Sequence, residues 1–476
     1  MKDAKCSVSR RALVCLPAAL LMYGALGYGA DHFKNSEAPR LDMGNRPPSA
    51  EMQKLTAENE AEHAREMKVL GLTALRSGHN GTNPDAPNAA NYDEALAGPF
   101  GYSPDVLKLK SGDHAATSAD WWNKRCPEII AAAEAELYGR LPAVIPGVKW
   151  EAAAARDVTV GSVKAVSRRI IGHVDNSAYP AIAVDIQMEE ALPANVKGKV
   201  PVIIQFGWLT PPMLPPGVKM PASPPGPDWR EQILARGWGY VVLDPSSIQA
   251  DNGAGLNAGI IGLVNKGQPR KMDEWGALRA WAWGAGQALD YLATDPHVAA
   301  NRVGISGHSR YGKATLVTMA FDQRFAIAFI SSSGTGGAKL LKRYFGETIE
   351  DLAQAHEFHW MAGTFMRYAA DPLSVKDLTV DADAVLALCA PRPIFLGNGS
   401  IAAGDAWTDS KGQFIAAVAA GQAYRLLGKK DLGTDQFPGT GPALISGDIG
   451  FRQHQYGHTQ DPNWPIFLEF AAKHLK

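Results

Sequence analysis

The chain has 476 residues, of which 46% are hydrophobic and 20% charged, so it can bury a large core. This composition excludes a disordered tail and a fibrous repeat. The 47 lysines and arginines are balanced by 48 acidic residues, which gives a formal net charge of -1. Because binding to phosphate groups needs clustered cations, we expect no nucleic-acid partner.

The first thirty residues have the layout of an export signal. Four basic residues precede the apolar run 12–30, and a polar stretch follows at once. Arg10 and Arg11 form the pair that is typical of twin-arginine signals, although ordinary secretory signals also carry such pairs. We predict a signal peptide at residues 1–30 and a periplasmic or secreted protein, with an uncleaved membrane anchor as the alternative.

Residues 31–101 are polar and weakly patterned. One helix is predicted from Ala50 to Leu70. A stretch rich in Asn, Pro, Gly and Ala follows it, and such a composition is typical of a flexible linker. We interpret the whole segment as an N-terminal extension and not as a domain.

From residue 102 to residue 476, short apolar runs rich in β-branched residues alternate with helical stretches. This alternation predicts one α/β domain, a three-layer sandwich in which helices cover both faces of a mostly parallel sheet. The clearest predicted strands are Val200–Phe206, Gly239–Asp244, Arg302–Ser306, Phe325–Ser331 and Pro393–Asn398. The clearest predicted helices are Trp275–Ala293, Tyr311–Phe321, Gln413–Leu427 and the closing helix Trp464–His474.

Two long insertions interrupt this pattern. Trp208–Pro227 is rich in proline, and Pro245–Lys271 is rich in glycine. Both follow the carboxyl ends of predicted strands, which is where open α/β sheets place their ligand sites. We therefore expect both insertions to form walls of a site.

The segment 303–313 (VGISGHSRYGK) carries the strongest chemical signal. A strand runs into a tight turn at Gly307, Ser309 stands at the apex, and a helix follows at once, as in the nucleophile elbow of serine hydrolases. The match to G-x-S-x-G is imperfect, because Tyr311 occupies the last glycine position and Gly312 follows it. A serine that merely caps the helix is the alternative interpretation.

A nucleophilic serine needs a histidine base and an acid that orients the histidine. Asp405 follows the last clear strand, and His458 precedes the closing helix. The order serine, acid, histidine is the order found in α/β-hydrolases. We predict a triad of Ser309, Asp405 and His458, with Asp409 as an alternative acid and His454 as an alternative base.

The segment 307–313 resembles the G-C-S-R-x-G-K signature of glucuronoyl esterases (4-O-methyl-glucuronoyl methylesterases), which cleave esters between glucuronic acid of xylan and lignin alcohols. Other parts of the chain resemble the same family: Trp122, 126–129 (CPEI), 138–142 (YGRLP), 343–348 (RYFGET), 389–393 (CAPRP) and 457–458 (GH). The resemblance extends from about residue 102 to the last residue. It implies the α/β-hydrolase fold.

One position departs from the family pattern. Many members carry the triad acid as glutamate in a Q-E-S-G-x-G-G stretch, whereas residues 331–337 read SSSGTGG and place Ser332 at the acidic position. A hydroxyl group cannot compensate the charge of an imidazolium. Similar bacterial enzymes carry the acid after the later strand, and Asp405 occupies that place. The alternative is an impaired or repurposed enzyme.

The resemblance also implies contacts with the substrate. Arg310 resembles the arginine that supports the oxyanion, and Lys313, Glu347 and Trp407 resemble residues that bind the uronate sugar. It implies a serine esterase that forms an acyl-enzyme and needs no metal or other cofactor. We expect a monomer that acts on glucuronoxylan or lignin-carbohydrate esters, without a membrane partner once the signal is removed. The alternatives are another carbohydrate esterase, such as a xylan deacetylase, and a catalytically silent carbohydrate-binding homologue.

Overall fold

The structure, a computed structural model, describes residues 50–81, 83–98, 104–210 and 226–476. The leader predicted at residues 1–30 and most of the proline-rich insertion lie outside these ranges. The described residues form one sheet of eleven strands: β1 (Val148–Ala152), β2 (Arg156–Val160), β3 (Val163–Val174), β4 (Asp185–Pro193), β5 (Val200–Phe206), β6 (Gly239–Asp244), β7 (Val298–His308), β8 (Ile327–Ser331), β9 (Ile394–Asn398), β10 (Ala443–Leu444) and β11 (Ile449–Gln453).

The strand order is β1-β3-β4-β6-β5-β7-β8-β9-β11-β10, with β2 paired to β3. The six strands from β6 to β11 along this order run parallel to one another. Antiparallel strands extend the sheet at both edges, β1 to β4 at one and β10 at the other. The carboxyl ends of β7, β8, β9 and β11 therefore meet at one edge of the sheet.

The helices of the described residues are α1 (Ala50–Leu70), α2 (Ser118–Asp120), α3 (Cys126–Ala133), α4 (Trp229–Ala235), α5 (Gly259–Val264), α6 (Ala277–Leu292), α7 (Arg310–Phe321), α8 (Ile349–Leu352), α9 (Ala382–Ala387), α10 (Ser410–Leu426) and α11 (Trp464–His474). Within the described ranges, none of them is both long enough and apolar enough to cross a membrane.

The core lies on both faces of the sheet because side chains of a strand alternate between them. In β5, Val202 and Ile204 pack in one cluster with apolar residues of α6, α7 and α10. Ile203 packs in a second cluster with residues of α4 and α11. Burial on both faces explains why the central strands have almost no polar residues, and it confirms the predicted α/β sandwich.

The predicted central elements agree with the structure. The predicted bounds of β5 and β6 match those observed, and β7 is longer at both ends than the predicted Arg302–Ser306. The strands β1 to β4 were not among the clear predictions. In β3, buried and more exposed residues alternate irregularly, so this antiparallel edge lacks the continuous apolar runs of the central strands.

The N-terminal extension packs against the rest of the chain. Helix α1 has the predicted bounds, and Glu66 in its last turns binds Arg270, with 2.8 Å between Oε1 and Nε and both side chains fully buried. The stretch after α1, whose composition suggests a linker, is also bonded, since Arg76 pairs with Glu350 at 3.1 Å and Asn91 donates to the carbonyl of Tyr344 at 2.6 Å. The division between extension and domain at residue 101 stays a prediction.

Candidate active site

Ser309 forms the turn between β7, which ends at His308, and α7, which begins at Arg310. Its backbone has a φ of 59° and a ψ of -128°, a conformation that residues with a Cβ rarely adopt. The Ser309 amide donates to the carbonyl of Ser331 at 2.9 Å, which ties the turn to the neighbouring strand β8. The strained turn is the geometry that presents a nucleophile at the edge of a sheet.

The imperfect glycine motif has a steric explanation. A Cβ at Gly307 would lie 2.3 Å from the carbonyl oxygen of Tyr311, and a Cβ at Gly312 would lie 2.5 Å from that of Ser331. Both positions therefore require glycine. The ring of Tyr311 is buried beside Trp281, with 5.5 Å between ring centroids, so this position serves the core and needs no glycine.

Asp405 and His458 are brought together from the loops after β9 and β11. Asp405 Oδ1 lies 2.7 Å from His458 Nδ1, and Asp405 is fully buried. Asp405 Oδ2 accepts hydrogen bonds from the Ser332 hydroxyl and the Gly399 amide, each at 2.7 Å. Burial opposes the charge, but His458 and the Ser332 hydroxyl hold the pKa of Asp405 below its ordinary value. The acid is therefore ionised beside the imidazole.

The other nitrogen of His458, Nε2, has no hydrogen-bond partner within the described residues. The His458 ring contacts two further rings, with centroid distances of 4.3 Å to His308 and 4.8 Å to Trp407. Burial, and secondarily the nearby His458, lower the pKa of His308 well below its ordinary value. His308 is therefore a neutral neighbour at physiological pH, and Nε2 of His458 is available for a proton.

The two alternative residues are engaged elsewhere. His454 uses both ring nitrogens on the backbone: Nε2 donates to the Thr459 carbonyl at 2.8 Å, and Nδ1 accepts from the Tyr456 amide at 3.1 Å. Asp409 caps the N-terminus of α10 and binds Arg343 Nε at 2.9 Å. Asp405, and not Asp409, therefore lies against His458.

The residues expected to bind the sugar surround Gly334, in the loop after β8. A Cβ at Gly334 would lie 2.6 Å from Glu347 Oε2, 3.4 Å from the Trp407 ring and 3.5 Å from Lys313 Nζ. Gly334 has a φ of 56°, which favours glycine in any case. Lys313, Glu347 and Trp407 therefore converge, although they come from three separate segments of the chain.

Lys313 and Glu347 form an ion pair, with 3.1 Å between Nζ and Oε2, in which Lys313 is buried and Glu347 is partly exposed. Nζ also donates to the Thr335 carbonyl at 2.6 Å, and Glu347 Oε2 accepts from the Thr335 amide at 2.9 Å. Burial raises the pKa of Glu347 even though Lys313 opposes the rise. The pair fixes a cation and a carboxylate beside the indole of Trp407, a combination suited to the hydroxyl groups of a sugar.

Comparison with known proteins identifies the family. The chain is 30% identical over 421 residues to a carbohydrate esterase, MZ0003, of an unknown prokaryotic organism, covering 82% of this chain and 93% of that protein. A solved CE15 glucuronoyl esterase from Teredinibacter turnerae T7901 superposes with a TM-score of 0.80 at 41% identity, covering 88% of this chain and all of the other. The chain belongs to the glucuronoyl esterase family.

Two further comparisons agree with this assignment. A family model described as fungal glucuronyl esterase matches residues 269–428, which include Ser309 and Asp405. A glucuronoyl esterase from Solibacter usitatus superposes with a TM-score of 0.70 at 32% identity, covering 80% of this chain and all of the other. The predicted family and the predicted α/β-hydrolase fold are confirmed, and the protein is a carboxylic ester hydrolase.

Arg310 of this esterase is held by a residue that sequence analysis missed. Its Nη1 donates to Asp251 Oδ2 at 2.6 Å, and its guanidinium carbon lies 5.5 Å from the ring centroid of Trp360. Asp251 lies in the glycine-rich insertion that was expected to be a wall. An aspartate in such a loop is most often a turn former, so no local signal distinguishes it.

Proposed function

We propose that this esterase hydrolyses esters that join glucuronic or 4-O-methylglucuronic acid of xylan to lignin-type alcohols. One observation carries the proposal: the His458 ring of the Asp405–His458 pair lies 4.8 Å from the Trp407 ring, and the Trp407 ring and the Lys313–Glu347 pair both lie beside Gly334. The first pair can activate a serine hydroxyl, and the second can orient a polar sugar.

Acylation begins when His458 Nε2 takes the proton of the Ser309 hydroxyl. The freed oxygen attacks the carbonyl carbon of the uronate ester and forms a tetrahedral intermediate. His458 then gives the proton to the departing alcohol oxygen, and the uronoyl group remains bound to Ser309. Asp405 stays ionised throughout and stabilises the imidazolium that forms between these two transfers.

The intermediate needs donors for its oxyanion. Arg310 supplies them from the position that follows the nucleophile: its backbone N–H lies at the start of α7, and its guanidinium is buried beside Trp360. A cation in a buried site stabilises developing negative charge more strongly than it does in water. Water completes the cycle: His458 takes a proton from the water that attacks the acyl carbonyl, and then gives that proton to Ser309 Oγ as its bond to the acyl carbon breaks. The free uronic acid then leaves.

Sugar recognition falls to Lys313, Glu347 and Trp407 in this proposal. An ammonium group donates and a carboxylate accepts, so the pair can satisfy neighbouring hydroxyl groups of one ring. When a substrate lacks the sugar, these buried polar groups lose partners. A site of this kind rejects such substrates strongly.

The test is the ratio of kcat/KM for benzyl glucuronate to that for p-nitrophenyl acetate. We expect the glucuronate ester to be preferred by at least about 10²-fold. Lys313→Met, which keeps the length of the side chain but removes the charge, should lower kcat/KM for the glucuronate ester by about 10²-fold and for the acetate by less than about threefold.

Lys339→Met is the matched control. Lys339 is also fully buried, but its ammonium bonds backbone carbonyls of residues 340 and 343. It should change kcat/KM for both esters by the same factor. Faster cleavage of the acetate, unaffected by Lys313→Met, would favour a deacetylase, and no turnover of either ester would favour a silent carbohydrate-binding homologue.

We also propose that the enzyme acts in the periplasm or after secretion. Support comes from the basic and apolar pattern of residues 1–30 and from the polymeric nature of the proposed substrate. Mass spectrometry of the exported protein should find that this leader has been removed, and recovery of the intact leader on a membrane would contradict the proposal.

A further inference from the structure

Asp251 binds three side chains from two other segments of the chain. Its Oδ2 accepts from Arg310 Nη1 at 2.6 Å, and its Oδ1 accepts from Trp360 Nε1 at 2.7 Å. His359 Nε2 lies 3.0 Å from the same Oδ1. The aspartate is buried, with 8% of its surface exposed, so these bonds are shielded from water.

The charge state of this cluster follows from its contacts. Burial opposes ionisation of Asp251, but Arg310 and the bonds from His359 and Trp360 hold its pKa far below the ordinary value. Burial also lowers the pKa of His359, which is therefore neutral at physiological pH. The cluster therefore contains one ion pair, between Asp251 and Arg310. The neutral side chains of His359 and Trp360 also bind Asp251.

The segment that carries Asp251 is itself held on its outer side. The amide of Ala254 donates to Asn59 Oδ1 of α1 at 2.8 Å. A Cβ at Gly253 would lie 2.6 Å from the ring of Phe358, so the loop packs closely on the turn that carries Trp360. The loop that carries Asp251 is therefore held by contacts with α1 and with Phe358.

We propose that Asp251 is a positioning residue that fixes the guanidinium of Arg310 for stabilisation of the oxyanion. The inference rests on the proposed function, because it assigns no separate reaction to Asp251. An arginine side chain is long and has many rotamers, whereas oxyanion donors act only when they are already oriented before charge develops. The short bond to Asp251 and the neighbouring ring of Trp360 reduce the number of positions open to the guanidinium.

Asp251→Asn tests the inference. The amide is nearly isosteric, but it offers a single acceptor oxygen where three donors now converge, so the guanidinium loses its fixed partner. We expect kcat on benzyl glucuronate to fall by about 10- to 100-fold with KM changed less than about threefold, because the lost interaction acts in the transition state. Arg310→Ala should lower kcat by about 10²- to 10³-fold.

The double variant separates positioning from an independent effect. If Asp251 acts through Arg310, Asp251→Asn should add less than about threefold to the loss caused by Arg310→Ala, since the group to be positioned is absent. Multiplication of the two losses would overturn the inference while leaving the role of Arg310 intact. If Arg310→Ala leaves kcat unchanged, Arg310 does not stabilise the oxyanion and the inference fails.

A matched control is the pair of Arg279 and Glu134, whose closest atoms lie 3.2 Å apart and whose arginine is as buried as Arg310. Glu134→Gln should lower the melting temperature without changing kcat. If Asp251→Asn does not fold, Trp360→Phe removes the indole N–H bond to Asp251 and keeps an aromatic ring beside Arg310. It should then lower kcat by about three- to tenfold, and an unchanged kcat would overturn the inference.

Discussion

Asp405 is fully buried and Glu347 is mostly buried, with 11% of its side chain exposed. Both acids lie at the carboxyl edge of the sheet, and their surroundings shift their pKa values in opposite directions. Asp405 contacts a histidine, a hydroxyl and a backbone amide, and its pKa is lowered. Glu347 is paired with Lys313 and the Thr335 amide through one oxygen, Oε2, and burial raises its pKa.

In the proposed mechanism Asp405 must stay charged, whereas Glu347 must bind the sugar. Both carboxylate oxygens of Asp405 have partners within the protein, so it needs none from the substrate. Among the described residues, Glu347 has partners on Oε2 alone, and burial raises its pKa although Lys313 and the Thr335 amide oppose the rise. A sugar hydroxyl that donates to this carboxylate would supply the missing stabilisation.

The largest expected effect is the loss of kcat when a residue of the proposed triad is replaced. Ser309→Ala and His458→Ala should each lower kcat by about 10⁴-fold or more, because either change removes the activated nucleophile. Melting temperatures should stay near that of the wild type. A fluorophosphonate that reacts with activated serines should label the wild-type enzyme and not Ser309→Ala. Comparable turnover by folded Ser309→Ala would end the triad assignment.

A smaller and selective effect is expected on the sugar side. Glu347→Gln should lower kcat/KM for benzyl glucuronate by about 10²-fold, because an amide cannot accept bonds with the strength of a carboxylate, and for p-nitrophenyl acetate by less than about threefold. Glu190→Gln is the control, since Glu190 is also buried with a raised pKa but pairs with Arg168 in the antiparallel part of the sheet. An equal loss for both esters would make Glu347 a structural residue.

The smallest effect concerns the pH dependence of stability. The lowered pKa of Asp405 contributes stability above the ordinary carboxyl pKa of about 4, and this contribution is lost as the pH falls through the folded-state value. The raised pKa of Glu347 contributes stability below about pH 4, and this is lost as the pH rises through its folded-state value.

Melting temperatures measured from pH 3 to pH 7 should show these opposite signs. The difference between wild type and Asp405→Asn should grow as the pH rises, and the difference between wild type and Glu347→Gln should shrink. If the two differences in melting temperature changed with pH in the same direction, the opposite pKa shifts of Asp405 and Glu347 would be contradicted.

The sequence predicted the parts of the molecule that local patterns determine. The central strands β5 and β6 are runs of mostly apolar residues, interrupted only by Gln205 in β5 and by Asp244 at the end of β6, and their bounds could be read directly. The chain order of Ser309, Asp405 and His458 led to the candidate site, because the carboxyl ends of parallel strands share one edge, and the structure pairs Asp405 with His458 there. The antiparallel strands β1 to β4 were not among the clear predictions, because β1 and β2 contain no buried residue and β3 and β4 mix buried with exposed positions.

Contacts between distant loops were also beyond sequence analysis. The bond between the Ser332 hydroxyl and Asp405 joins residues 73 positions apart, and that between Arg310 and Asp251 joins residues 59 apart. Serine and aspartate in loops usually form turns, so only their positions in the folded chain reveal these partners. The same holds for Asp409, whose role as a helix cap became clear from its contact with α10.

The most direct test of the account compares kcat for Asp405→Asn and Asp409→Asn on benzyl glucuronate. Asp405→Asn should lower kcat by about 10⁴-fold, as in the protease triad, because the imidazole loses its charged partner. Asp409→Asn should lower stability through the cap of α10 and the pair with Arg343 but change kcat less than about threefold. The reverse ranking, or a small effect from both, would contradict the assignment of Asp405 as the triad acid.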